Sequence, residues 1–430
     1  MNYKNNFTSR RRIVDYLRAT ENEIVVDIEA YDICQVDPDD AGYIPRPTKW
    51  LKKIVGTLYF IRLFAFFLRG LWRFGGSTFF HLIELLFYYF YSKKCEDKIP
   101  AALIAREYVL TFSSRAADVI QPSVVKNMPK CWITMPWAPI NELPSGSIRV
   151  DVFSLLNGHD LLKAYLLSVV ATRSLSRQRG SSPWVLQSYT AFRWFAVRAA
   201  IEKLEGRFLM AEHYDRWAVL ADSVVSSQRA LACLEEAKKP QLVLVQHGSL
   251  GSLKLSDSTP HLSFKLKCRL KAVTCLYVYD QASEEIFKKD ILSRHCVSSG
   301  VDVNYFSPKI TLSPDPDIEG FRILFVGHPI CEDLHIYLYK LLKREYSMYI
   351  YYKPHPTAGM SEQIRLQNWM IVEDRNYYPE VDLLIAYPST LVREYSTLGV
   401  PSVVHSMSQS HQDSLEFVRS LKEKLDNLIG

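Results

Sequence analysis

The sequence predicts an α/β protein made of two doubly wound, mostly parallel sheets, with an aromatic helical insertion near the N-terminus. Three observations lead there. Short apolar strands alternate with helical stretches from about residue 100 onward, which is the pattern of parallel strands covered on both faces. A Pro- and Asp-rich break at 313–320 divides that pattern in two. A chain of 430 residues also has room for two or three domains. The expected boundaries are 1–100 for an N-terminal segment with amphipathic helices at 48–94, 101–308 for a first α/β domain, and 309–430 for a second whose last helix packs back.

Composition excludes several classes. Hydrophobic residues at 48% rule out a wholly disordered chain. The net charge of +6 is too small to imply nucleic acid. It is also local: seven basic residues and no acidic one lie between Ala41 and Ile83. The eight cysteines form no CxxC pair and no zinc spacing, as expected of core thiols in a reducing cytosol. The N-terminus lacks the apolar core of a signal peptide, so a cytoplasmic location is expected.

Along the chain, residues 23–33 (EIVVDIEAYDI) read as a strand. Fourteen aromatic residues then fall between Tyr59 and Tyr91. Arg62, Arg69, Arg73 and Glu84 interrupt that run, so it is not a simple transmembrane helix. At about 100° per residue the three arginines lie within about 40° of one another. A narrow basic stripe on a broad aromatic face, with Trp72 among the rings, suits the surface of an anionic membrane. A buried hairpin and a dimer contact are the alternatives.

Residues 101–120 show helical periodicity, and 131–137 are strand-like. Helices follow at 158–178 and 190–206, then a strand opening RFLMAEHYDRW, a helix at 226–239 and the strand QLVLVQHG. Next come the strand AVTCLYVYD, the helix ASEEIFKKDIL and VSSGVDVNYFSP. The second half alternates FRILFVG, EDLHIYLYKLLKRE, MYIYYKPHPT, DLLIAYPS, TLVREYSTLG and PSVVHSM, and a final amphipathic helix covers 411–430.

Ligands of open α/β sheets bind at the carboxyl ends of strands, so the residues after each strand are the candidates. Gln246-His247-Gly248-Ser249 follows QLVLV; the imidazole can take a proton from an acceptor hydroxyl, or can serve as a local cap. Lys353-Pro354-His355-Pro356 follows MYIYY, a rigid loop whose Lys and His suit a diphosphate. Ser389 and Thr390 open a helix carrying Glu394, where hydroxyls and N–H groups suit phosphate and the carboxylate suits ribose. Gly327 and His328 follow FRILFV, the glycine permitting close approach of a ligand. His213 and Asp215 follow RFLMAE, as a base with its orienter or as local structure. No DxD stands after a strand, and neither a P-loop nor GxGxxG occurs. No metal and no cofactor are expected.

These residues resemble a family. SSGVDVNYFSP is similar to the interdomain junction of GT-B glycosyltransferases, and YYKPHP to the HP loop of bacterial GT-B enzymes that build capsule, lipopolysaccharide and teichoic acid. AYPSTLVREYSTLGVPSVV resembles their nucleotide-binding segment, and QHG an N-domain loop proposed to hold the acceptor base. The resemblance covers roughly 200–405 and implies two Rossmann-like domains facing a cleft. It implies that His355 contacts the donor phosphate together with Lys353, Pro356, Ser389 and Thr390, that Glu394 holds ribose, and that His247 is the base. Two family patterns are missing: eight residues before Glu394 stands Ala386, and the acidic base motif of the sialyltransferases does not occur.

The expected function is transfer of a sugar from a nucleotide-sugar donor, CMP-linked in preference to UDP or GDP. The acceptor is a glycan or lipid-linked chain at the inner face of the plasma membrane. The alternatives are a CDP-polyol phosphotransferase, a GT-B epimerase and a non-catalytic membrane scaffold.

Overall fold

The computed structural model describes residues 2–34, 66–95, 106–113, 119–120, 131–140, 143–180, 182–231, 239–248, 266–306, 310–316, 319–355, 359–374, 377–407 and 414–429. Two compact units divide them. The first contains residues 1–28, 60–247 and 264–306, and the second is mainly 307–430.

The first unit is built on seven strands: β1 (Glu107–Thr111), β2 (Cys131–Thr134), β3 (Ile148–Asp151), β4 (Arg207–Met210), β5 (Gln241–Val245), β6 (Val273–Val278) and β7 (Asp302–Tyr305). All neighbours are parallel, in the order β3-β2-β1-β4-β5-β6-β7. The order reverses between β1 and β4, so this is a doubly wound sheet with its switch point there. Its helices are α1 (Asn2–Cys34), α2 (Ser77–Lys94), α3 (Gly158–Arg179), α4 (Ala191–Ile201), α5 (Arg216–Leu231), α6 (Gln281–Ile286) and α7 (Arg294–Ser298). Central strands buried on both faces read as continuous apolar runs, which is why QLVLV and RFLM were legible.

Three expectations change here. Residues 107–111 form β1, not part of a helix; with Tyr108 to Leu110 fully buried, the apolar run is a central strand. Residues 23–33 belong to helix α1, not to a strand. Charged residues along α1, Glu23 and Asp27 of this stretch among them, decide it, because at helical spacing they meet partners across the unit. Asp15 receives a hydrogen bond from Arg198 at 2.9 Å, Glu21 pairs with Arg179, Glu23 with Arg216, and Asp27 accepts from Gln187 at 2.7 Å. Strand β3 was not foreseen; it is a short edge strand with its first two residues exposed.

Helix α2 is turned against its own hydropathy. Ser77, His81, Glu84, Tyr88 and Ser92 form its buried stripe. His81 lies 3.2 Å from both Glu84 and Thr172, and Arg193 donates to Glu84 at 2.8 Å. The apolar residues between them face solvent. Trp72 is buried and donates its indole N–H to Ser188 at 2.9 Å, which removes it from any membrane surface. Arg73 is exposed, Arg69 half-buried, and Arg62 lies outside the described residues. The chain kinks just before α2, where Gly75 takes a φ of 129° that side-chain-bearing residues rarely adopt.

The second unit has five parallel strands: β8 (Arg322–Val326), β9 (Tyr349–Lys353), β10 (Met370–Ile371), β11 (Leu383–Ala386) and β12 (Ser402–Val404). Their order is β10-β9-β8-β11-β12, with the switch point between β8 and β11. Helices α8 (Glu332–Glu345), α9 (Glu362–Arg365), α10 (Thr390–Ser396) and α11 (Leu415–Ile429) complete it. Alternation along β8 feeds two cores. Ile323 and Phe325 pack with Leu338 of α8 and Leu421 of α11 on one face, while Leu324 and Val326 pack with Tyr395 and Val400 on the other. Both units are thus Rossmann-like α/β sheets. Among the described residues no helix is long and apolar enough to cross a membrane.

Candidate functional site

In the first unit the candidates gather after β4 and β5. Both ends of the Gln246 amide are held by protein: Oε1 accepts from the Tyr279 N–H at 2.9 Å, and Nε2 donates to Ser283 at 3.1 Å. Gln246 therefore fixes the loop rather than meeting an acceptor. His247 donates Nδ1–H to the carbonyl of Ala211, a bond across from β5 to the end of β4. That bond sets the tautomer, leaving the basic lone pair on Nε2. Gly248 turns the chain with a φ of 73°. Ser249 lies outside the described residues.

His213 is not a base with an acidic orienter. It is buried, and its Nε2 accepts the backbone N–H of His247 at 3.0 Å, with the two rings 4.5 Å apart. Burial, aided by His247, holds it well below the usual histidine range, so it stays neutral. Asp215 turns the other way: one oxygen accepts from the N–H groups of Trp217 and Ala218, both at 2.9 Å, capping α5. Burial and then Glu23 raise its carboxyl to about 6.

One residue was missed. Glu212 is buried at the carboxyl end of β4, where the strand order reverses. A bond to Ser113, which follows β1, spans the switch point. Its Oε2 has no hydrogen-bond partner among the described residues. Burial, then Asp215, pushes its carboxyl up to about 8, so it is protonated at neutral pH. The only signal in sequence was an acidic residue directly after an apolar strand. Strand order, which sequence does not give, was needed to single it out.

In the second unit, His328 sits between two rings, 5.0 Å from His355 and 5.6 Å from Tyr387. These residues follow β8, β9 and β11, so the cluster marks the switch point of the second sheet. His328 Nδ1 accepts from the Ile330 N–H at 3.2 Å, which places its proton on Nε2 as a donor. Burial, aided by His355, lowers its pKa to about 3, so it is a neutral imidazole at neutral pH. Ser389 Oγ is buried without a hydrogen-bond partner among the described residues and makes no cap to α10, whose first residue is Thr390. Glu394, half-buried one turn on, has its carboxyl raised to about 7 by burial.

Two expectations fail in this unit. Lys353 Nζ donates to the carbonyls of Asp374 and Tyr377, both at 2.8 Å, and lies 4.8 Å from the Tyr378 ring. It braces a loop, and burial lowers it to about 8. Gly327 serves packing rather than ligand approach, since a Cβ there would stand 2.4 Å from the Tyr352 ring. Pro356 lies outside the described residues.

The fold and these strand-end clusters define the class: a two-unit protein of Rossmann-like parallel sheets with neutral histidines at the strand ends. No family model and no curated protein matches the chain. Among solved structures, the chain is similar to the wall teichoic acid polymerase TagF, in a variant soaked with CDPG. The identity is 12% and the TM-score 0.35, over 76% of this chain and 77% of that one.

Proposed function

We propose that the protein is a metal-independent glycosyltransferase of surface-glycan assembly, the first unit taking the acceptor and the second a nucleotide-sugar donor. The observation that carries this is the tautomer of His247. Its Nδ1–H is held by Ala211, and its backbone is held by His213. A histidine so fixed presents Nε2 as a general base.

The reaction is then a single displacement. His247 Nε2 takes the proton of an acceptor hydroxyl, and the oxygen attacks the anomeric carbon. The bond from that carbon to the donor phosphate breaks, and the nucleotide leaves with the electron pair. In the second unit His328 Nε2–H, His355 and the Ser389 hydroxyl stabilise the charge growing on the leaving phosphate. Glu394 holds the ribose. The acceptor is a growing glycan or lipid-linked chain at the inner face of the plasma membrane.

A panel of CMP-, CDP-, UDP- and GDP-linked donors tests the reading. The expected result is consumption of a CMP-sugar with release of the nucleotide. Consumption of a CDP-polyol alone would assign the phosphotransferase reading instead. No consumption of any donor, with no nucleotide bound by calorimetry, would overturn both.

A further inference from the structure

The buried polar stripe of α2 leaves an apolar stripe outside. Phe79, Ile83, Leu86, Phe87 and Phe90 lie within about 100° of helical arc, and each is at least half exposed. Helix α3 packs on α2 and runs against it. Near the start of α2, His81 meets Thr172 late in α3, and near its end Tyr89 lies over Gly158 at the start of α3. Leu162, Leu166 and Val170 of α3, spaced by four, add a second exposed apolar row. Phe74, at the kink before α2, is 91% exposed. An apolar surface of this extent marks a contact face rather than chance exposure.

Charge says what it contacts. Exposed Arg73, Arg173 and Arg177 stand where α2 begins and α3 finishes, and exposed Lys93 and Lys94 stand at the other end. Among the described residues the outward rows of α2 and α3 carry no carboxylate, and Asp160 at the start of α3 is bonded to Lys203. Glu84 is the one acidic residue in 66–94, buried and bonded to Arg193, and 161–179 contain none.

We propose that this two-helix face seats the protein on an anionic lipid bilayer. The rings and leucines enter the headgroup–acyl boundary, and the cations at both ends meet phosphate headgroups. A second copy fits worse. Stacking the face on itself sets basic ends on basic ends, with no carboxylate on its outward rows among the described residues. The inference deepens the peripheral attachment in the function above and adds α3, which sequence had left as an ordinary helix. Its test needs no turnover, so it fails or stands independently of the donor panel.

The experiment is flotation of the full chain with phosphatidylcholine vesicles, with and without phosphatidylglycerol. Binding is expected only where phosphatidylglycerol is present. The triple variant K93E/R173E/R177E loses roughly a hundredfold in affinity, from about fivefold per cation. The double variant R173E/R177E, which leaves α2 untouched, loses a smaller share. Thermal midpoints equal to the parent's confirm that both variants fold; if the triple variant is destabilised, the double variant decides. Unchanged binding by the variants would overturn the proposal. So would a parent chain that fails to float and sediments as a dimer.

Discussion

The backbone N–H of His247 donates to Nε2 of His213 across 3.0 Å, joining the ends of β5 and β4. The acceptor histidine is buried and neutral, so it serves as a fixed peg for the histidine proposed above as the base. Replacing His247 with Ala should lower transfer by about 10²- to 10⁴-fold, the usual worth of a general base. Replacing His213 with Phe removes only the peg, and one lost hydrogen bond of about 1.4 kcal/mol corresponds to about tenfold in kcat. His213→Gln keeps an acceptor and should recover most of it. Steady-state kinetics with the preferred donor separates the cases: equal losses for Phe and Gln would deny His213 its positioning role.

Glu212 makes a prediction about pH. Its carboxyl titrates near 4.5 when exposed and at about 8 in the fold. The folded chain therefore holds a proton that the unfolded chain gives up, and stability falls as pH rises through that window, levelling off above it. Glu212→Gln removes this contribution. Melting curves from pH 5 to 8 should slope less for the variant, by an amount on the order of a few kcal/mol across the window. Parallel slopes would mean that Glu212 is ionised in the fold.

Arg216 is buried against Glu23, Gln187 and the ring of Tyr189. Removing Glu23 strands that guanidinium. Glu23→Ala should cost about 3 kcal/mol, read from the urea midpoint, because an unpaired buried charge is worse than none. Glu23→Gln, which keeps an acceptor, should cost less. The same loss disturbs the start of α5, directly after the His213 loop, so transfer should fall with stability.

Gly327 tests packing against ligand approach. A methyl at this position meets the Tyr352 ring, so Gly327→Ala should lower stability by about 2 kcal/mol through overpacking. Pairing it with Tyr352→Leu should recover part of that. If Gly327→Ala instead kept full stability and lost only donor affinity, the glycine would belong to the ligand.

The doubly wound architecture was legible because buried parallel strands write themselves as apolar runs. The site was legible only in part. Sheet-end position pointed to His247, His328 and His355, which do follow β5, β8 and β9, since a polar residue after such a run stands out. It could not find Glu212, whose place depends on β1 lying beside β4 with about a hundred residues between them in sequence. Nor could periodicity tell which stripe of α2 faces inward. His81 and Glu84 are buried because Thr172 and Arg193 await them, and those partners lie far along the chain. For Lys353, residue type suggested a phosphate ligand, whereas the carbonyls of Asp374 and Tyr377 claim its ammonium.

Helix α1 carries a consequence for biosynthesis. Its partners are Arg179, Gln187, Arg198, Glu202 and Arg216, and Asn22 bonds to Cys268, 246 residues away. A nascent chain emerges from its N-terminus first. Helix α1 is therefore made well before the residues that bury it, and docks only once Arg216 and Cys268 have also left the ribosome. Completion of the first unit is timed by the arrival of its own middle, so a translational pause before residue 216 would hold α1 in water, open to proteases and chaperones.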